Sequence, residues 1–268
     1  MVLNDSNYYS SEADMEYMSA TQYKDFAGTS GKAGCEHAAM EKLAGRWEEE
    51  AGTAVMVGSY VDRYVEGTLD SFKAGHPEMF KRDGELKAEY KQADKVIERM
   101  KKDRLFWETL GGQKQVIMTG EMFGSKWKIK MDSYIPHKAI VDLKVVKAVR
   151  GKDAFTWVRD YGYMYFVLYW GYDIQGAIYQ EIVYQNTGER LPFIISAATK
   201  QEEPDLRVIR VDQAYLNAAL AMVEKNMPRI LRVKAGELKP DMCGACGCCR
   251  RDRVIEASEP LSGILDEI

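Results

Sequence analysis

The chain has 268 residues, a formal net charge of −4 and a mean hydropathy of −0.38. A chain of this length can bury a substantial core, so one domain with additions around it is expected. No apolar run approaches the roughly 20 residues that a membrane-spanning helix needs, which predicts a soluble protein without membrane contact. The N-terminus is polar and tyrosine-rich and lacks the pattern of a signal peptide, so we expect a cytoplasmic location.

The charge is unevenly distributed along the chain. Between Lys114 and Lys152 there are eight lysines and one arginine against three carboxylates, a local balance of +6 on an acidic protein. This excludes a uniformly basic nucleic-acid binder but suits local contact with a phosphate backbone. Lys126, Lys128 and Lys147 are candidate DNA contacts, although the alternation of Lys126 and Lys128 equally describes a solvent-exposed strand face.

The first part of the chain is predicted to be helical and the middle to be rich in strands. Residues 1–17 are expected to be flexible, and a helix begins near Met18 with Ser19 or Thr21 as its N-cap. Further helical segments continue to Gly111-Gly112, which interrupt them. The later elements are predicted as strands over 115–122, 126–134 and 139–146, a helix over 163–182, strands over 191–199 and 206–211, and a helix from Asp212 to about Val233.

Two of these strands carry charged residues that are predicted to converge. Asp142 and Lys144 are two apart on a strand and share one face, while Leu143 points into the core. Asp132 lies at the end of the preceding strand. Carboxylates supply the oxygen ligands that Mg²⁺ prefers, and a bound metal with an ammonium group can assist phosphodiester hydrolysis. An Asp-x-Lys triplet is common, so a structural ion pair is the alternative, but the apolar residues around it indicate a buried strand.

A second polar pattern follows about thirty residues later. Gln175 and Tyr179 are four residues apart and therefore lie on one face of the predicted helix. An amphipathic helix with a buried tyrosine would explain the pair by itself. Its place behind the acidic motif favours a functional interpretation.

The order of Asp132, Asp142-Leu143-Lys144 and Gln175-x-x-x-Tyr179 resembles the PD-(D/E)xK nuclease superfamily, in particular its RecB/RecE-like and phage λ-type exonuclease branch. The resemblance implies an α/β fold: a restriction-endonuclease-like αβββαβ core, with a mixed central sheet flanked by helices and extra helices at both ends. It covers a single domain over residues 18–250, followed by a tail over 251–268. It also implies a metal-dependent exonuclease that hydrolyses linear duplex DNA from an end, in recombination or phage-type DNA processing.

The resemblance assigns a role to each candidate residue. Asp132, Asp142 and the backbone carbonyl of Leu143 would hold Mg²⁺ or Mn²⁺, Lys144 would orient water, and Gln175 and Tyr179 would position the lysine or the DNA end. RecE-like proteins carry a Gly-x-x-x-His motif upstream, whereas this chain has Gly58 followed by Asp62. We expect Asp62 to serve as a further metal ligand. The departure keeps a second interpretation open, a catalytically inactive nuclease fold that binds DNA or acts as a scaffold.

Four of the five cysteines are clustered near the C-terminus. Cys243, Cys246 and Cys249 have the spacing of a thiolate metal site, and Cys35 is the candidate fourth ligand. The arrangement resembles the iron–sulfur staple of AddB and of CRISPR-associated exonucleases, which implies a [4Fe–4S] cluster. Zn²⁺ and metal-free thiols are the alternatives. A third interpretation of the protein is therefore a metal-stabilised cysteine-cluster interaction module.

The resemblance also implies partners. DNA is the expected substrate, and a recombinase or a single-strand annealing protein is the expected protein partner. Relatives in this branch form rings, which makes a homo-oligomer an expectation here as well.

Overall fold

The computed structural model describes residues 1–49, 52–255, 257–258 and 260–261. Its helices and mixed sheet confirm the predicted α/β class. Helices α1 to α11 span Ser11–Glu16, Ala20–Ala27, Glu36–Leu43, Thr53–Glu66, Leu69–Gly75, Ala88–Lys102, Arg104–Thr109, Phe166–Tyr169, Tyr172–Thr187, Gln213–Lys234 and Gly247–Asp252. Strands β1 to β9 span Tyr17–Met18, Val116–Met122, Ser125–Met131, Ser133–Ile135, Ala139–Val146, Phe155–Val158, Gly162–Tyr165, Phe193–Thr199 and Leu206–Arg210. None of the helices in the described ranges is long and apolar enough to cross a membrane.

The central sheet has the strand order β4-β5-β8-β9. Strands β5 and β8 are parallel, with Asp142 opposite Ile195 and Lys144 opposite Ala197. Because parallel neighbours need a crossover, α9 runs between them in sequence. Strands β4 and β9 pair antiparallel at the two edges. The predicted αβββαβ order is thus confirmed, with β2, β3 and β5 as its first three strands.

Strand β5 is covered on both faces, which explains its apolar sequence. Ile140 and Val146 pack into a core that includes residues of α9 and α10. Val141 and Leu143 face the opposite core, which contains residues of α4 and α6. The face of Ile140 is also that of Asp142 and Lys144, since alternate residues of a strand share a face. Two charged side chains are therefore directed towards a helix-covered face of the sheet.

The N-terminal segment, which the sequence predicts to be flexible, forms α1 and β1. Ser10 caps α1, and β1 pairs parallel with β3. The Lys128 ammonium forms an ion pair with Asp14 at 2.7 Å and also donates to the backbone carbonyl of Tyr8. The prediction missed these contacts because they join residues more than a hundred positions apart. As predicted, Ser19 caps the next helix, α2.

The helix predicted over 163–182 is wrong at its beginning. Residues 162–165 form β7, which pairs with β6 in a separate two-stranded hairpin. The main helix, α9, begins only after Gly171, which has a left-handed φ of 64°, and extends to Thr187. The predicted tail over 251–268 lies partly outside the described residues, and α11 ends at Asp252.

Candidate active site

Asp132 lies at the single position that separates β3 from β4. Its Oδ2 accepts a hydrogen bond from the backbone N–H of Leu143 at 2.9 Å, and its Oδ1 accepts one from Gln115 Nε2 at 3.4 Å. The β4–β5 register pairs Ser133 with Val141. One further step of this register would set Asp132 opposite Asp142, and residues so paired have Cα atoms about 4.5–5.5 Å apart. The two carboxylates predicted to converge are therefore neighbours.

The backbone N–H and carbonyl of Leu143 point to the side of β5 on which Asp132 lies. The N–H and C=O of one strand residue point to the same side of the strand. Because the Leu143 N–H donates to Asp132, the Leu143 carbonyl is directed to that side as well. Strand β4 pairs with β5 only through residues 139–141 of β5. The backbone of Leu143 therefore has no β4 residue paired with it on the side where Asp132 lies.

Asp142 connects the strand to its lysine and to α9. Its side chain is buried, and Oδ1 accepts a hydrogen bond from Gln175 Nε2 at 2.6 Å. Oδ2 lies 2.5 Å from Lys144 Nζ, an ion pair without hydrogen-bond geometry, so within the described chain this oxygen has no hydrogen-bond partner. The Lys144 ammonium also lies 5.1 Å from the centroid of the Tyr172 ring.

Tyr179 lies one helical turn after Gln175, as the spacing predicts, and its hydroxyl donates to the Lys130 carbonyl at 3.0 Å. This bond ties α9 to β3 just before Asp132. Burial raises the pKa of Tyr179, so its hydroxyl stays protonated. Gln175 reaches Asp142 directly and reaches the lysine only through that carboxylate. Its predicted role in orienting Lys144 stays a prediction.

The electrostatics of the site are those of crowded, buried charges. Burial, followed by the charge of Asp142, raises the pKa of Asp132 to about 7. Burial and the charge of Asp132 raise the pKa of Asp62 on α4 well above its ordinary value. Burial lowers the pKa of Lys144, but the carboxylates of Asp142 and Asp132 outweigh burial, and the net pKa is raised. Asp62 thus shares the electrostatic environment of the strand carboxylates, whereas Glu66, one turn on, pairs with Arg63 at 2.6 Å.

Comparison with known proteins agrees with this geometry. The family model of a PDDEXK-like domain of unknown function (DUF3799) matches residues 19–252. The chain belongs to this PDDEXK-like family. A crystal structure of a “putative exonuclease” from Eubacterium rectale has a TM-score of 0.96 to it, with 60% sequence identity and 100% coverage of both chains. No curated protein matches the chain. The predicted superfamily is confirmed, and its exonuclease branch stays a prediction.

The sequence pattern missed some residues of the PDDEXK-like site. Lys24 of α2 donates to the Trp170 carbonyl at 3.3 Å, and its ammonium lies 5.7 Å from the centroid of the Tyr172 ring. Burial and the charge of Lys144 lower the pKa of Lys24 to about 8. It is a second cation beside the carboxylates, which no spacing in the sequence links to them. Gln115 was missed for the same reason: it directly precedes β2, and no spacing in the sequence relates it to Asp132.

The three lysines predicted as DNA contacts differ in their surroundings. Lys128 is 2% exposed and held by Asp14, so that prediction is wrong, because a buried and paired ammonium cannot reach a phosphate. Lys126 is exposed but pairs with Glu16 at 2.8 Å. Lys147 is exposed, and its nearest carboxylate is Asp153 at 3.5 Å.

The four cysteines predicted as ligands lie together in a small cluster of their own. The sulfurs of Cys35, Cys243, Cys246 and Cys249 lie within 4.8 Å of one another. Cys35 caps α3, and its sulfur is 3.4 Å from that of Cys249 and 3.8 Å from that of Cys246. All of these cysteines are free thiols. Burial raises the pKa of Cys243, but the N–H groups of residues 245 and 246 outweigh it and lower the pKa to about 6, which favours a thiolate. The group can hold a metal.

Proposed function

We propose that the protein is a metal-dependent exonuclease that hydrolyses phosphodiester bonds of linear duplex DNA from an end. One observation carries the proposal: Asp132 and Asp142 converge on the backbone of Leu143, with the Lys144 ammonium 2.5 Å from Asp142 Oδ2. The exonuclease description of the Eubacterium rectale protein, at 60% identity, supports the same activity. A cysteine-cluster interaction module would leave these converging charges without a purpose.

The donor set suits a hard divalent cation. Asp132, Asp142 and the Leu143 carbonyl would hold Mg²⁺ or Mn²⁺, with Asp62 as a further carboxylate, and all of these donors are oxygens. Asp142 Oδ2 is buried and has the Lys144 ammonium as its close partner at 2.5 Å, so a bound cation would share this oxygen with the lysine. Burial and the neighbouring carboxylates raise the pKa values of Asp132 and Asp62, and the positive charge of Lys144 offsets this only in part. When bound, the ion would supply activation of water and neutralisation of phosphate charge.

The chain's own residues orient and bind the substrate. Lys144 is protonated at neutral pH because its pKa is raised, so it acts as a fixed cation and hydrogen-bond donor near the scissile phosphate. Gln175 holds one oxygen of Asp142 and so fixes the direction of the other. Lys24 adds a second positive charge on the same side as Lys144, where it can bind a phosphate of the strand.

The four-sulfur site would serve stability rather than chemistry. Tetrahedral Zn²⁺ with Zn–S bonds of about 2.3 Å requires sulfurs about 3.8 Å apart. Three of the six sulfur separations are 3.4, 3.8 and 3.9 Å and all six are within 4.8 Å, a compact set that suits a single ion. A [4Fe–4S] cluster attaches each thiolate to a different iron and needs a wider set, so we favour Zn²⁺. Metal analysis together with a visible absorption spectrum of anaerobically purified protein distinguishes the two.

Digestion of linear duplex DNA by the purified protein tests the proposed activity. We expect nucleotide release with Mg²⁺ or Mn²⁺, none without a divalent ion, and none from covalently closed circles. Lys144→Ala should lower the rate about 10²- to 10³-fold, because a preorganised charge at the reacting phosphate is lost. The matched control, Lys101→Ala, removes an exposed lysine of α6 and should retain activity. Activity undiminished in Lys144→Ala would refute the mechanism, and no activity with either metal would favour the inactive scaffold.

A further inference from the structure

The hairpin β6–β7 presents an aromatic surface that the proposed chemistry does not use. Cross-strand pairing sets Phe155 opposite Tyr165 and Trp157 opposite Tyr163. Because alternate residues share a face, all four rings lie on one side of the hairpin. The paired rings are 5.1 Å and 5.5 Å apart, centroid to centroid. We call these four side chains the aromatic face.

The aromatic face is turned towards solvent. Trp157 is 65% exposed and Tyr163 is 73% exposed, whereas Met164, on the other side of the hairpin, is buried. This reverses the usual arrangement, in which the aromatic side of a hairpin covers a core. The hairpin forms a sheet of its own and does not extend the central sheet. A grouped, exposed aromatic surface of this kind indicates a binding surface.

The aromatic face is connected to the active site by a series of ring contacts. Tyr165 packs against Phe166 at 4.5 Å, and Phe166 lies 6.2 Å from Tyr172. The Tyr172 ring in turn lies 5.1 Å from Lys144 Nζ. The hairpin also directly follows β5 in the chain and precedes α9, the helix that carries Gln175. The exposed rings are therefore attached to the two elements that build the candidate site.

The charge around the aromatic face suits nucleic acid. Residues 147–170 contain four cationic side chains and two carboxylates, an excess of positive charge. The Arg207 guanidinium also lies 6.0 Å from the centroid of the Tyr165 ring. Aromatic rings flanked by cations are the elements with which proteins bind unpaired nucleotides, since every base has a face that can stack. A protein partner would be expected to meet aliphatic residues as well, and all four paired positions of the aromatic face carry aromatic rings instead.

We propose that the aromatic face binds unpaired bases at the end of the DNA by stacking and so guides one strand towards Lys144. The inference rests on the proposed nuclease function, since it identifies the form in which that site receives its substrate. Trp157 and Tyr163, the most exposed rings of the face, are the residues expected to contact bases.

The test compares two duplexes that differ only in their single-stranded overhang. One overhang carries thymine bases, and the other consists of abasic sugar-phosphates of the same length and charge. Binding is measured by fluorescence anisotropy without added divalent cations, so that no cleavage is needed. Wild-type protein should bind the thymine overhang at least about fivefold more tightly, the lower limit for stacking of one base.

The variants of the test separate base stacking from other roles. The double variant Trp157→Ala/Tyr163→Ala should lose the preference, while Trp157→Phe/Tyr163→Phe and the other-face control Thr156→Ala should keep it. The proposal is overturned if wild-type protein shows no preference or if the double alanine variant retains it. It is also overturned if that variant changes only the oligomeric mass in solution, since the face would then join copies of the chain. Failure of Mg²⁺-dependent digestion would refute the nuclease proposal separately, because binding is measured without cleavage.

Discussion

The carboxylate site and the four-sulfur site are both candidate metal centres, yet the chain builds them in opposite ways. The carboxylate site uses neighbouring strands, since Asp132 and Asp142 are only ten residues apart. The sulfur site joins Cys35 to cysteines more than two hundred residues later, and so ties the two ends of the domain together. Oxygen ligands suit Mg²⁺ or Mn²⁺, and thiolates suit Zn²⁺ or iron.

This difference implies different consequences of metal loss. The strands around Asp142 are buried by apolar residues on both faces, so we expect them to fold without a metal even though like charges crowd the site. The sulfur site has a core of its own consisting mainly of the cysteines and Ala38. Such a small cluster gains most of its stability from the bound ion. Removal of a ligand should therefore affect the chemistry at one site and the stability at the other.

The largest effect is expected for Asp142→Asn. The substitution keeps the size of the side chain and an oxygen for Gln175, but it removes the charge that would hold both Lys144 and the metal. Nuclease activity should fall by about 10³-fold or more, since several kcal/mol of transition-state stabilisation are lost. The melting temperature without divalent ions should stay close to that of wild type. Asp153→Asn, which alters an exposed carboxylate, is the control that should retain activity.

The next largest effect is expected for Cys35→Ser, measured by thermal unfolding and by metal content. Loss of one of four thiolates should release the bound metal and lower the melting temperature by roughly 10 °C or more, because a structural site contributes several kcal/mol and each kcal/mol corresponds to about 2–4 °C at this size. Cys248→Ser is the matched control for the four-sulfur group, since Cys248 lies in the same segment but is grouped with His37 and Asp252 instead. It should retain one equivalent of metal. Equal metal loss in both variants would contradict the assignment of ligands.

The features that could be predicted from the sequence are those determined by local geometry. The placement of Asp132, Asp142 and Lys144 followed from local rules, because strand alternation and a short connection between neighbouring strands determine it, whereas the fold was implied by the family resemblance. Gln175 and Tyr179 followed from helical spacing in the same way. The grouping of Cys35 with the C-terminal cysteines came instead from ligand chemistry and the family resemblance.

The features that were missed depend on contacts that no local pattern carries. Lys24 reaches the site only because α2 packs beside α9, and its sequence neighbours show nothing unusual. Lys128 was assigned to DNA because strand alternation cannot tell an exposed face from one that is covered by a distant segment, here the residues around Asp14. Strand β7 was predicted as the start of a helix because its aromatic residues are compatible with both structures, and only the cross-strand pairing with β6 distinguishes them.

The smallest predicted effect concerns pH and follows from the raised pKa of Asp132. Because this pKa is about 7 in the folded protein, well above its ordinary value near 4, the folded state binds the proton more tightly than the unfolded state. The stability that this group contributes is present at low pH and is lost as the pH rises through 7. Without divalent ions, the free energy of unfolding should therefore decrease between about pH 5 and pH 8 through this group.

A divalent ion at the carboxylates would reverse this pH trend, since it replaces the proton that Asp132 loses. The stabilisation by Mg²⁺, measured as the shift in melting temperature on its addition, should be small at pH 5.5 and largest above pH 7. Asp132→Asn is the control, because the amide does not titrate: both the pH dependence from this group and most of the Mg²⁺ response should disappear. An equal Mg²⁺ response at pH 5.5 and pH 8.5 in wild-type protein would mean that the ion binds away from Asp132. A pH-dependent response that appears in Mg²⁺ and survives Cys35→Ser, which removes a ligand of the four-sulfur site, would assign the response to the carboxylates.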